Sequence, residues 1–220
     1  MRLVSTNLEG GLMDKAAKLD KHHPANTDVI ATQETHATNQ TINKIRFQMK
    51  RKWHVEASNG TSESRGVAIF LNKRTFPNQP ITTKKDESGR WIWCLVEDGG
   101  GTKRVVGTVY APATKKERVD FLEKLDLGLP EGIPAAIGGD WNTTWREGER
   151  SNEAKPYKEA VCTRALHAMA MRHCLADATR GPTQFTFRAR NSNALAILDR
   201  WLINEEMKRW KIDTEVSPFP

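Results

Sequence analysis

Four apolar runs in this chain each deliver a carboxylate to the place where a strand meets a loop. Leu3 to Gly11 reads LVSTNLEGG and carries Glu9, Val29 to His36 reads VIATQETH and carries Glu34, Ile137 to Thr144 reads IGGDWNTT and carries Asp140, and Ile197 to Ile203 reads ILDRWLI and carries Asp199. A carboxylate at the end of a buried strand is costly to hold ionised unless a cation or hydrogen-bond donors meet it there. No paired His or Cys accompanies these acids, so the donor set favours Mg²⁺ or Mn²⁺ over zinc. Mg²⁺ keeps most of its waters while taking one or two carboxylates, which suits chemistry on phosphate esters.

The acids need a scaffold. Strand-like runs recur at Arg2 to Leu8, Val29 to Gln33, Trp53 to Ala57, Gly66 to Asn72, Trp91 to Glu97, Val105 to Tyr110, Ala135 to Gly139, Phe185 to Arg188 and Ile197 to Ile203. Nine strands imply more than one sheet. Helical spacing is found at Met13 to Lys21, Thr41 to Lys50, Lys116 to Leu125 and Pro156 to Cys174. Within the third of these, Val119, Leu122 and Leu125 form one apolar face; within the fourth, Val161, Ala165, Leu166, Met169 and Cys174 do so, with Met169 and Met171 expected to pack. Asp98 to Lys103, with three consecutive glycines, reads as a hairpin loop.

Composition narrows the classes. A length of 220 residues suits one large domain, expected to span 1–220, and the 34 basic against 27 acidic residues give a net charge of +7 that suits a polyanionic partner. Cys94, Cys162 and Cys174 are odd in number and lack CxxC spacing, so they read as reduced core residues. No run of 18 apolar residues and no signal-peptide pattern is present, which points to a soluble, intracellular protein with no membrane partner.

Taken in order, STNLEGG, ATQETH, SRGVAIFLNK, VVGTVYAP, IGGDWNTT, FTF and ILDRWLI resemble the endonuclease/exonuclease/phosphatase superfamily, the fold of DNase I and the apurinic/apyrimidinic endonucleases. QETH, YAP, the acid-aromatic-Asn-Thr string followed by Arg150 and Ser151, and FTF before ILDR look most like the endonuclease domain of LINE-type, non-LTR retrotransposons. The resemblance implies a four-layer α/β sandwich with two packed mixed β-sheets flanked by helices.

By that resemblance Glu34 is the primary metal ligand, and Glu9 either holds the cation through water or is a solvated loop acid. Asp140 orients or deprotonates the attacking water. Asn7, Asn142 and Tyr110 match positions that donate to a phosphate oxygen; an Asx-turn for Asn142 and an edge aromatic for Tyr110 are the plainer readings. Thr186 and Arg150 match positions nearer the rim. The counterpart of Asp199 accepts from the imidazole of a C-terminal Ser-Asp-His string. That string is absent here, since the sequence runs IDTEVSPFP to Pro220, where the resemblance places it and one further core strand. None of the six histidines is an obvious replacement, although His36 is expected beside the site. A C-terminally truncated sheet, a bare edge strand and little or no hydrolysis by this segment are therefore expected. Ala196 stands where retrotransposon enzymes often carry a small hydroxyl residue, a departure costing about 1 kcal/mol.

Beyond the acids, Ile45 to Trp53 reads IRFQMKRKW, able to follow a phosphate backbone and stack on a base, or to be the solvated cationic face of an amphipathic helix. Lys115, Lys116 and Arg118 form a second basic cluster at a helix start, serving a ligand or solvated. Trp141 reads as support beneath the site, and Trp145 as a loop indole that could wedge or stack on DNA. The expected function is Mg²⁺-dependent nicking of DNA, with a monomeric chain, possible fusion to a reverse transcriptase and a nuclear location if a eukaryotic retroelement is the source. A non-catalytic nucleic-acid-binding remnant of the fold and a phosphatase or phosphodiesterase acting on a small phosphoester are the alternatives.

Overall fold

The computed structural model describes residues 1–23, 26–151, 156–178, 185–188, 194–210 and 213–216. In chain order the elements are β1 (Arg2–Asn7), α1 (Leu12–His22), β2 (Val29–Gln33), α2 (Asn39–Met49), β3 (Trp53–Ser58), β4 (Val67–Asn72), β5 (Thr82–Lys85), β6 (Trp91–Glu97), β7 (Lys103–Tyr110), α3 (Lys115–Lys124), β8 (Ala135–Asp140), α4 (Pro156–Arg172), β9 (Ala176–Asp177), β10 (Phe187–Arg188), β11 (Leu195–Ala196), β12 (Asp199–Ile203), α5 (Glu205–Lys208) and β13 (Asp213–Val216).

Two mixed sheets form, ordered β13-β1-β2-β4-β3 and β5-β6-β7-β8-β12-β9, with β10-β11 as a small separate pair. The parallel pairs β1/β2 and β7/β8 are joined through α1 and α3, the crossover that parallel strands require. Period-two alternation then sorts the apolar residues into layers. Leu3, Val29, Ala31, Ile69 and Leu71 face Cys94, Val106, Ala136, Trp201 and Ile203 between the sheets. Ile30, Val55 and Phe70 turn outward beneath Leu12, Leu19, Ile42 and Ile45 of α1 and α2. On the far side, Val105, Val109, Ile137 and Leu202 meet Leu122 of α3 and Leu166 and Met169 of α4. Four layers, helix-sheet-sheet-helix, are thus built from strands buried on both faces, which is why VAIFLN is an unbroken apolar run up to its final Asn.

Several details differ from the sequence reading. β13 pairs parallel with β1 and covers the edge expected to be bare. It is pinned by Arg2, which bonds Glu215 at 2.6 Å and lies 3.3 Å from Asp213, and by Trp201 Nε1 donating to Glu215 O at 3.2 Å. DTEV lacks the apolar run that would announce a strand. Met171 is 76% exposed and Val161 38%, so only Ala165, Leu166 and Met169 of the expected α4 set are buried, joined by Cys162. Cys174 is exposed, not core, because it lies past the end of α4 at φ 54°. The Asp98 hairpin forms as expected, its carboxylate accepting from the Gly100 and Thr102 N–H groups.

Two glycines of IGGD have steric reasons that the motif alone does not show. A Cβ on Gly138 would come within 2.8 Å of the Trp201 indole, and one on Gly139 (φ 154°) would collide with the Val109 carbonyl. Gly139→Ala is expected to lower stability by about 3 kcal/mol or more, since backbone of the neighbouring strand must shift. Urea unfolding followed by tryptophan fluorescence measures it.

Candidate active site

The sheets bring polar residues to one end of the sandwich in two rows. Tyr110 is the cross-strand partner of Asp140, and Asp140 of Asp199, so β7, β8 and β12 place these three side chains side by side. In the other sheet Asn7 pairs with Gln33, and Glu34 follows directly.

Asn7 joins the rows. Its Nδ2 donates to Glu34 Oε1 at 2.9 Å and to Asp140 Oδ2 at 3.0 Å, and its Oδ1 accepts from the Glu9 N–H at 2.9 Å. A carboxamide has two N–H donors, and the carboxylates engage both. Asn7 in this arrangement holds the acids together, which corrects the expectation that it offers a donor to phosphate. Glu9 is an exposed loop residue, and it steadies Asn7 through its backbone. Deeper in, Gln33 Nε2 donates to Ser5 Oγ at 3.1 Å and to Thr108 Oγ1 at 2.7 Å, a second stitch between the sheets that the sequence reading missed.

Backbone conformation is unusual around these acids. Glu9 (φ 48°), Glu34 (φ 50°), His36 (φ 48°) and Asn142 (φ 52°) all occupy the left-handed region, each at a cost of about 1 kcal/mol. Cross-loop bonds hold them there: Gly10 N to Glu34 O at 2.7 Å, Thr35 N to Gly66 O at 3.0 Å and His36 N to Arg65 O at 2.9 Å. Asp140 Oδ1 accepts from Asn142 N at 2.8 Å, closing an Asx-turn, and Asn142 Nδ2 donates to Ala111 O at 2.8 Å. One amide hydrogen of Asn142 is left over for a ligand. His36 Nε2 lies 4.0 Å from Glu34 Oε2, beside the site as expected.

Burial, reinforced by the Glu34 charge, pushes the Asp140 carboxyl up to about 6, against the opposing pull of the Asn142 N–H, Asn7 and the Arg118 guanidinium. Asp199 is pushed well above the usual carboxylate range, first by burial and then by Asp140. Burial and Glu34, to which the phenol hydrogen-bonds, keep Tyr110 protonated, with the Arg90 guanidinium 5.0 Å from its ring. Arg118 is 5% exposed and not part of an open basic cluster; its Nη1 donates to Ala113 O at 3.2 Å, while Lys115 and Lys116 are exposed. Arg118 and Arg90 carry no motif, and only the fold brings them here.

Three residues expected at the rim have other surroundings. Thr186 Oγ1 accepts from Leu198 N at 3.0 Å and Asp199 N at 3.2 Å, so it anchors the start of β12. Arg150 forms a β-bridge with Ala196 that ties down the loop after Asp140. Trp145 turns toward α4, its ring centroid 4.4 Å from that of His167 and 5.9 Å from the Arg200 guanidinium. Arg200 projects from β12 on the face opposite Asp199, so Trp145 supports the loop from behind and is not a wedge at the mouth. Arg200 is fully buried and bonds Glu149 at 2.9 Å and Asp177 at 3.1 Å. Trp141 is fully buried beneath the row, as expected. Asp199 Oδ1 is buried and has no hydrogen-bond partner among the described residues.

Two mixed sheets packed face to face, flanked by helices and ending in a polar cluster, define a DNase I-like α/β sandwich. The fold is similar to the APE2 catalytic domain of Xenopus laevis (TM-score 0.69, 19% identity, 93% of this chain and 82% of that one). It is similar also to the 3′-5′ exonuclease NExo of Neisseria meningitidis (0.69, 16%, 94% and 88%) and to the mannosyl-6-phosphatase Bt3783 of Bacteroides thetaiotaomicron VPI-5482 (0.59, 14%, 92% and 85%). No curated protein matches the chain in sequence. Residues 4–218 match the Endonuclease/Exonuclease/phosphatase family, and the chain belongs to it.

Two measurements follow from the charges. A carboxyl pushed up binds its proton more tightly folded than unfolded, so without divalent cations stability falls as pH rises from about 4 to about 6. Asp140→Asn should reduce that slope, Asp199 supplying the part that remains, and leave the protein more stable at pH 7 by on the order of 2 kcal/mol, read from urea midpoints across pH. Glu149→Ala, which strips a buried guanidinium of one partner, should cost about 3 kcal/mol.

Proposed function

We propose that the chain is a divalent-cation-dependent phosphodiesterase that nicks DNA, of the retrotransposon endonuclease type. The observation that carries this reading is the Asn7 bridge between Glu34 and Asp140, with Tyr110 and Asp199 in register beside them. Phosphate chemistry needs a cation site, a base and neutral donors within one cluster, and this cluster offers each.

The donor set fits Mg²⁺ or Mn²⁺. Among the described residues no three His, Cys, Asp or Glu side chains close into a cage, and Mg²⁺ prefers one or two carboxylates with the remaining positions left to water. Glu34 would hold it, with Glu9 reaching it through water. Bound there, the cation would stabilise charge on the phosphate and on the leaving oxygen.

The side chains supply the rest. Asp140, pushed up to about 6, is poised near neutral pH to orient a water and accept its proton for in-line attack on phosphorus. Asn142 offers its remaining amide hydrogen to a phosphate oxygen without adding charge. Tyr110, held protonated, can donate there as well. Asp199 presents the buried Oδ1 as an acceptor for an imidazole N–H, and Thr186 and Arg150 hold the backbone that positions it. The cationic surface suits DNA as the substrate.

That same Oδ1 favours a second reading, a nucleic-acid-binding domain of this fold without turnover until an imidazole reaches Asp199. The similarity to a mannosyl-6-phosphatase supports a third, a small phosphoester as substrate. Nicking of supercoiled plasmid with Mg²⁺ separates them. The chain supplied with a C-terminal Ser-Asp-His segment is expected to nick, the present chain to nick little, and Asp140→Ala in the supplied chain to lose about a thousandfold or more. DNA binding without nicking in either chain would sustain the second reading, and release of phosphate from a sugar phosphate without nicking would sustain the third.

A further inference from the structure

We infer that the end of the sandwich opposite the acids is a second nucleic-acid surface, built on α2 and two adjoining turns, which takes a single-stranded polynucleotide. No Asp or Glu occurs between Glu34 and Glu56, a stretch that holds Lys44, Arg46, Lys50, Arg51 and Lys52. The fold sorts these cations. Arg46 is used internally, bonding Glu56 at 3.0 Å and Val55 O at 2.8 Å, and Trp53 is buried, so neither serves a ligand. Lys44, Phe47, Lys50 and Arg51 share the outward stripe of α2 and the turn that follows it. All four are exposed. Lys44, Lys50 and Arg51 form no ion pair among the described residues.

A second turn enlarges the patch. Lys73 N donates to Lys52 O at 2.9 Å and Lys73 Nζ to Lys50 O at 2.7 Å, which sets Lys73 and exposed Arg74 beside the end of α2. Lys50 and Arg51 lie at the C-terminal end of α2, where the helix dipole favours cations, and Lys44 is six and seven residues away, so the stripe carries positive charge without close repulsion and with no acid beside it in sequence. At its centre Phe47 is 69% exposed, with Lys50 Nζ 4.1 Å from the ring centroid. An open aromatic ring flanked by cations at helical spacing is suited to stacking a base while neighbouring phosphates are neutralised. A membrane surface would call for a broad apolar face, and this stripe has one ring.

Topology keeps the patch away from the acids. β2 runs toward Glu34, α2 begins at Asn39 and returns over 11 residues, about 16 Å of helix, and β3 then starts opposite Asn72, whose neighbour Leu71 pairs with the first residue of β2. A strand held here is not the one whose phosphate meets Asp140, and the inference stands independently of catalysis.

The test is fluorescence anisotropy of a labelled 20-nucleotide single strand with the full chain in EDTA, at several salt concentrations. The variant Lys44→Gln, Lys50→Gln, Arg51→Gln should weaken binding about tenfold or more and reduce the log–log salt slope by about 2. Phe47→Ala should weaken binding of the oligonucleotide about tenfold while leaving inorganic polyphosphate binding unchanged. Circular dichroism confirms that the variants fold. Unchanged affinity and slope in the triple variant overturn the inference. So does loss of binding confined to Lys115→Gln, Lys116→Gln, which would place the strand elsewhere. Capture by phosphatidylserine vesicles with no oligonucleotide binding would replace it with a lipid surface.

Discussion

Two carboxylates that come from different sheets share the amide hydrogens of Asn7, and the polar end of this molecule depends on that bridge. Burial, with the Glu34 charge added to it, disfavours the ionised Asp140, and the available compensation from the Asn142 N–H, Asn7 and Arg118 is incomplete, since Asp140 stays pushed up to about 6. The cluster survives because the interlayer core holds it. Leu3, Val29, Ile69, Val106 and Trp201 form a continuous apolar contact between sheets whose strand ends then have no freedom to separate. Local electrostatic cost is carried by distant packing.

The loops on this framework are held with similar firmness. Four left-handed residues lie at or beside the acids: Glu34 and His36 are fixed by backbone bonds to other loops, Asn142 by the Asp140 carboxylate and Glu9 by the Asn7 carboxamide. Gly139 lets β8 pass close to Val109 so that Asp140 ends level with Tyr110 and Asp199. Behind the row, Arg200 ties Glu149 and Asp177 to β12, and Trp145 closes over its guanidinium. Side chains on rigid strand ends, backed by a second ring of bonds, are the geometry that positional chemistry requires.

Charge is divided between the ends of the sandwich. Acids gather where β1, β2 and β8 finish, whereas the turns after α2 and β4 concentrate cations with no intervening acid. A net charge of +7 thus conceals a local negative cluster within a positive envelope.

Much of this was legible in the residues. Strand periodicity located nine of the strands, and the acidic strand ends marked Glu9, Glu34, Asp140 and Asp199 as a converging set, of which Glu9 is an exposed loop acid, because motif and period are local properties of a chain. β13 escaped because DTEV has no apolar run and pairs through Arg2 and Trp201, residues distant in sequence. Partnership was not legible either. That Asn7 bridges acids, Thr186 anchors β12, Trp145 faces α4 and Arg118 is buried beside Asp140 depends on which strands become adjacent and which face each side chain takes. By itself the sequence determined the family, the layered α/β class and the identity of the acids. Only the tertiary structure decided their surroundings, since hydrogen bonds and charge shifts are set by distances of a few ångströms between groups that the chain keeps tens of residues apart.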